Sequence, residues 1–109
     1  MLTREGILWA KDLPTQAVPV PEWGEGAVVN VRTLSAIEAE SLKGIDDSGN
    51  FLGRFAVLVM CDDKGERLFT DEDADEVGKK NNNALRKVCD AAQALNGMGA
   101  EAQEEAVKN

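Results

Sequence analysis

The stretch FLGRFAVLVMC, residues 51–61, is the most hydrophobic in the chain, and any fold must be assembled around it. Side chains of this kind are driven out of water, so the run belongs in the core. Its later half is a continuous apolar run, which suits a buried helix or a buried strand. Phe51, Leu52, Phe55, Leu58 and Val59 recur at spacings of 1, 3, 3 and 1, a helical stripe, so the segment reads as a core helix. The alternative is a hairpin with strands at 55–61 and 66–69 around the turn DDKG.

The flanking sequence supplies elements that can pack on that helix. Thr3 is placed to cap a short helix in LTREGILWAKDL, with Ile7, Leu8 and Trp9 as its apolar face and Pro14 as its end. Val18 and Val20 alternate, as do Val29 and Val31, with EWGEG between them, which predicts a hairpin. Pro19 and Pro21 cannot donate ladder hydrogen bonds, so the first strand is expected at a sheet edge. Trp23, at the hairpin tip, reads as a lid folded over the core, with an exposed partner contact as the alternative.

Ser35 and Glu38 form a capping box that opens SAIEAESLKG, where Ile37 and Leu42 offer a thin apolar stripe and Gly44 a stop. IDDSGN reads as a turn-rich and mobile stretch. Gly65 is expected at positive φ in a tight turn that returns Leu68 and Phe69 to the core. Thr70 then caps a further helix, and Leu85, Val88, Cys89, Ala92 and Leu95 share one face of a helix over 83–95. Gly97 is suited to the left-handed residue that ends it, with Met98 packing back on the last turn. The expectation is a small single α+β domain, mainly α, of about five short helices with an N-terminal β-hairpin. It spans 1–109, with 98–109 a weakly packed C-terminal helix or tail.

Several kinds of chemistry are disfavoured. The cluster TDEDADEVG starts with the D-x-D-x-D spacing of a calcium loop, but its sixth position is Glu76 and its twelfth Asn82 in place of the required Gly and Glu. Those carboxylates read instead as a helix start, where free N–H groups favour negative charge. Histidine is absent, which removes the usual general base and the commonest zinc ligand. No catalytic residue, metal or cofactor is assigned. Cys61 and Cys89 lie inside apolar runs and read as buried thiols. Lys plus Arg number 12 against 20 Asp plus Glu, a formal charge of −8 that speaks against nucleic-acid and anionic-membrane partners. No signal peptide or membrane span is apparent, so a cytoplasmic protein is expected.

The order LTREGIL, VPVPEWG, a capped helix, DDKGERLFTDEDADEVG and ALNGMGAEAQEEAVKN resembles the small tail assembly chaperones of long-tailed, lambda-like bacteriophages and prophages. Gly6, where a helix former is expected, and Gly53, inside the central helix, depart from that pattern. The resemblance implies a non-enzymatic factor in the host cytoplasm that coats the helical tape measure protein, keeps it soluble and yields as the tail tube polymerises. It also implies absence from the mature virion and, in many members, a longer form made by ribosomal frameshifting. The partners implied are the tape measure protein and the tail tube protein, with self-association left open.

No residue-level binding motif can be carried over. From the residues themselves, a client surface is expected at Trp23, with Trp9, Phe51 and Leu52 beside it. For Trp9 and Phe55 the preferred reading is that they belong to the core. Competing functions are an acidic inhibitor that mimics DNA, and a structural connector or tail-completion subunit of the virion.

Overall fold

The computed structural model describes residues 1–43 and 49–97, and the fold is α+β, mainly α. Helix α1 (Arg4–Leu8) leads to strands β1 (Thr15–Pro19) and β2 (Val28–Arg32) and then to helix α2 (Ala36–Ser41). After the break come α3 (Phe51–Val59), the two-residue strand β3 (Met60–Cys61), α4 (Ala74–Gly78) and α5 (Asn82–Leu95). The expectations for IDDSGN up to Ser48, for the Gly44 stop, for Met98 and for the 98–109 tail lie outside the described residues.

The sheet is antiparallel in the order β1-β2-β3. Val18 stands opposite Val29, and Val31 opposite Met60, so the valine alternation puts these side chains on one face of the sheet. Strand β1 lies at the edge, as its proline requires. The core run is helical through Val59 and turns extended only at Met60 and Cys61. There Cys61 bridges to Arg67 across the Asp62–Gly65 turn, so the hairpin alternative survives in miniature beyond the helix.

Helix α3 is central: Phe55 through Cys61 are all buried, on every side of the helix and into β3, because α4 and α5 pack on the helix and β2 pairs with β3. Against it α5 presents Leu85, Val88, Cys89 and Ala92 of the face read from periodicity, with Leu95 half-buried and Ala84 buried beside them. Cys61 and Cys89 are free thiols inside this core, and burial pushes the Cys89 thiol up to about 12.

Local chemistry fixes the helix starts. The Gly6 N–H donates to Thr3 Oγ1 at 3.1 Å. Ser35 and Glu38 exchange the two hydrogen bonds of the capping box, at 3.0 and 3.2 Å. The Thr70 N–H donates to the Asp73 carboxylate at 2.9 Å, opening a 3-10 turn over Asp71–Asp73 that runs into α4. Gly65 and Gly97 both sit at positive φ, as their turns demand.

Three expectations fail at the surface. Ile37 is exposed, so α2 buries no residue and only Leu42, at its C-terminal cap, reaches the core. Leu68 is also exposed, and only Phe69 turns back to pack against the core. Trp9 is 82% exposed and α1 buries nothing, so the reading of Trp9 as core is wrong. The cause is common to all three: apolar spacing creates a face, but among the described residues no second surface covers it.

Gly53 is a fit rather than an interruption. A Cβ there would stand 2.5 Å from the Ala74 carbonyl oxygen, so α3 and α4 approach backbone to backbone. Asn50, in the left-handed region at φ 56, fills the remaining space. Its amide donates to the Ala74 carbonyl at 2.9 Å and accepts from the Gly53 N–H at 3.3 Å, capping α3 and tying it to α4.

Candidate functional site

The turn that carries Trp23 is a 3-10 segment, Pro21–Trp23, closed by Gly24 at φ 144. Lys87 on α5 anchors it, with Nζ at 2.7 and 3.0 Å from the two Glu22 carboxylate oxygens. That hydrogen bond is the main reason the Glu22 carboxyl lies below its ordinary range. The indole is thereby held at the body's surface, 37% exposed. Its partial exposure fits neither a closed lid nor a free tip.

Trp23 forms one wall of a hollow of about 550 Å³. Val29 of β2, Met60, Leu68, Phe69 and Val77 of α4 complete its apolar lining, and Asp73, Glu76 and Lys80 stand at the rim. The hollow exists because the 62–68 turn sends the chain back beside β3 while α4 starts one turn later. The Leu68 N–H donates to the Met60 carbonyl at 3.0 Å, which pins Leu68 to the wall with its side chain outward. The Arg67 guanidinium fastens the same segment from behind, donating to the Val57 carbonyl at 3.0 Å and to Asp71 at 2.8 Å.

Phe51 and Leu52 do not join this hollow. They are half-buried and line a smaller one of about 300 Å³ with Asn50, Gly78, Asn82 and Leu85, on the other side of Lys80. Their rings and chains also serve the fold: Phe51 stacks at a tilt on Phe55, with centroids 5.6 Å apart. Trp9 is separate again, on the exposed α1 arm with Leu2, Ile7 and Leu8. Of the four residues expected at a client surface, Trp23 alone lies in the larger hollow.

Sequence reasoning missed Val29, Met60, Leu68, Phe69 and Val77 as a shared wall. Leu68 and Phe69 read as core, Met60 as part of the core run and Val29 as part of the hairpin, and the five come from four separate segments, so no spacing links them. The one local signal was Leu68-Phe69 after a tight turn, an adjacent apolar pair of which an extended chain can bury one side only.

The chemistry available here is recognition. The wall is aromatic, aliphatic and thioether, surfaces that adapt to an apolar partner. The nearby carboxylates are engaged in structure: Asp73 takes the Thr70 N–H, and Asp71 pairs with Arg67. Among the described residues no group of three or more Cys, Asp or Glu side chains is arranged to hold a metal ion.

No protein-family model matches the chain, and no curated protein matches it. Among solved structures, the tail assembly chaperone of bacteriophage HK97 is similar in fold. The TM-score is 0.64, with 84% of this chain and 90% of that chain covered at 21% sequence identity.

Proposed function

We propose that this chain is a phage tail assembly chaperone, a non-enzymatic factor that holds the helical tape measure protein in solution until tail tube subunits polymerise around it. The observation that carries the reading is the likeness of fold to the HK97 tail assembly chaperone over 84% of the chain. The hollow beside Trp23 supports it in chemical terms. An amphipathic client helix needs an apolar groove on a soluble module, and Trp23, Met60, Leu68 and Phe69 offer one. The formal charge of −8 suits a client with basic flanks and keeps neighbouring bound copies apart.

On this reading the protein works in the bacterial host cytoplasm and leaves before the virion is complete. The tail tube protein is the second partner. The test is co-expression with the long helical tail protein encoded nearby. Soluble complex with this chain, and aggregation of the helical protein without it, is the expected result. A helical protein equally soluble alone, or this chain recovered in purified mature particles, would overturn the proposal.

A further inference from the structure

The C-terminal end of α5 is fastened by one side chain. The Asn96 Oδ1 accepts the Leu34 N–H at 2.7 Å, and the Asn96 Nδ2 donates to the Ala92 carbonyl at 2.7 Å. This half-buried amide ties the last turn of α5 to Leu34, the residue before the Ser35 cap of α2, across 62 positions of sequence.

The next residue is Gly97, which makes this the one Asn-Gly step in the chain. Asparagine before glycine is especially prone to lose its side-chain amide, because no Cβ keeps the following backbone nitrogen away from the side-chain carbonyl carbon. In that reaction the Gly97 nitrogen bonds to the Asn96 Cγ, the Cγ–Nδ2 bond breaks, and Nδ2 leaves as ammonia with the Gly97 amide proton. Solvent water then opens the cyclic imide, giving its hydroxyl to one of the two ring carbonyl carbons and its proton to the ring nitrogen. The product is aspartate or isoaspartate, with no oxidation or reduction.

The groups that must react are engaged by the fold. The Gly97 N–H donates to the Ala94 carbonyl at 3.1 Å, while Nδ2 and Oδ1 hold Ala92 and Leu34. We propose that Asn96 is a deamidation site that the fold keeps silent: it reacts only while its tie to Leu34 and Ala92 is open, and the reaction removes the tie for good. An aspartate there turns a carboxylate oxygen, in place of a donor, toward the Ala92 carbonyl. Its charge also stands at the negative end of the α5 dipole, where the last turn has no basic residue. The inference stands independently of the chaperone reading.

The full chain, native or unfolded in guanidinium chloride, is aged at mildly alkaline pH, and Asn96 is followed by peptide mass mapping and isoaspartate content. Modification is expected at Asn96 in both samples, slower by about tenfold or more in the native one, the factor imposed by opening two hydrogen bonds. In denaturant Gly97→Ala should slow the reaction severalfold, which tests the chemistry without asking the variant to fold. At denaturant concentrations below unfolding, the native rate should rise in step with hydrogen exchange of the Leu34 amide, since one opening frees both. Exchange at Leu34 should also be about tenfold faster in Asn96→Asp, the mimic of one product, and in the aged wild-type chain, which gives the same readout without a substitution. Equal native and unfolded rates, a native rate that ignores Leu34 exchange, a Gly97→Ala chain that reacts as fast as the wild type, modification first at another asparagine, or Leu34 exchange unaltered after the reaction would each overturn the proposal.

Discussion

Phe55 and Trp9 are both aromatic, both close to a capped helix start, and opposite in fate. Phe55 is 0% exposed inside α3, whereas Trp9 is 82% exposed at the end of α1. The caps are equally good: Asn50 accepts from the Gly53 N–H in one and Thr3 from the Gly6 N–H in the other. A cap thus decides where a helix begins and says nothing about whether its apolar face is covered. That second decision belongs to the surfaces brought from elsewhere in the chain, which α4 and α5 supply to α3, whereas α1 buries no residue.

The contrast can be broken in four ways, in descending order of effect. Truncating Phe55 to Ala removes the side chain at the centre of the core and should cost about 3–5 kcal/mol in denaturant titration. A loss below about 1 kcal/mol would mean that α3 is not the organising element.

Next comes the Arg32–Glu38 pair, at 2.6 Å with both side chains largely covered. Glu38→Ala strands the Arg32 guanidinium and deletes half of the capping box, for a loss of about 3 kcal/mol. The same pair sets a pH dependence. Burial pushes the Glu38 carboxyl up, but the hydrogen bonds from Arg32 and Ser35 outweigh it and the net shift is downward. A depressed folded value means that the stabilisation is complete above the ordinary glutamate range and is lost as pH falls through the folded value. Melting temperature followed from neutral to strongly acid pH should therefore fall less steeply in Glu38→Gln than in the wild type.

Gly53→Ala should cost about 1–3 kcal/mol by forcing α3 and α4 apart. Were it neutral or stabilising, as helix propensity alone would have it, the close approach at Ala74 would be wrong. Smallest of all, Trp9→Ala should leave the melting temperature of the dilute protein unchanged, within about 0.5 kcal/mol. A larger loss would place Trp9 in a core and erase the contrast.

What could be read from the sequence follows the same division. Thr3, the Ser35–Glu38 box, Thr70, Gly65 and Gly97 act on backbone within four residues, and their roles were legible from type and spacing. The hairpin itself was legible from the alternation at 18–20 and 29–31, but its register was not, because that alternation is in phase at more than one pairing and Val18 stands opposite Val29. Ile37, Leu68 and Trp9 were misplaced because their burial depends on a neighbour that no described element provides. Gly53 looked like a flaw because the Ala74 carbonyl that demands it lies 21 positions away. The hollow was the least legible feature: Trp23 was picked out as an aromatic at a turn, but its walls come from β2, β3, the 62–69 loop and α4.

The two thiols turn the body of this molecule into its own reporter. Cys61 and Cys89 sit on separate elements of one core, both shielded and both pushed above the ordinary thiol range by burial. A thiol reagent can reach them only when that core opens, and the arm, which has no cysteine, contributes nothing to the signal. The rate of labelling thus counts openings of the body alone, so anything that settles on the core slows the reaction while anything held solely by the arm leaves it untouched.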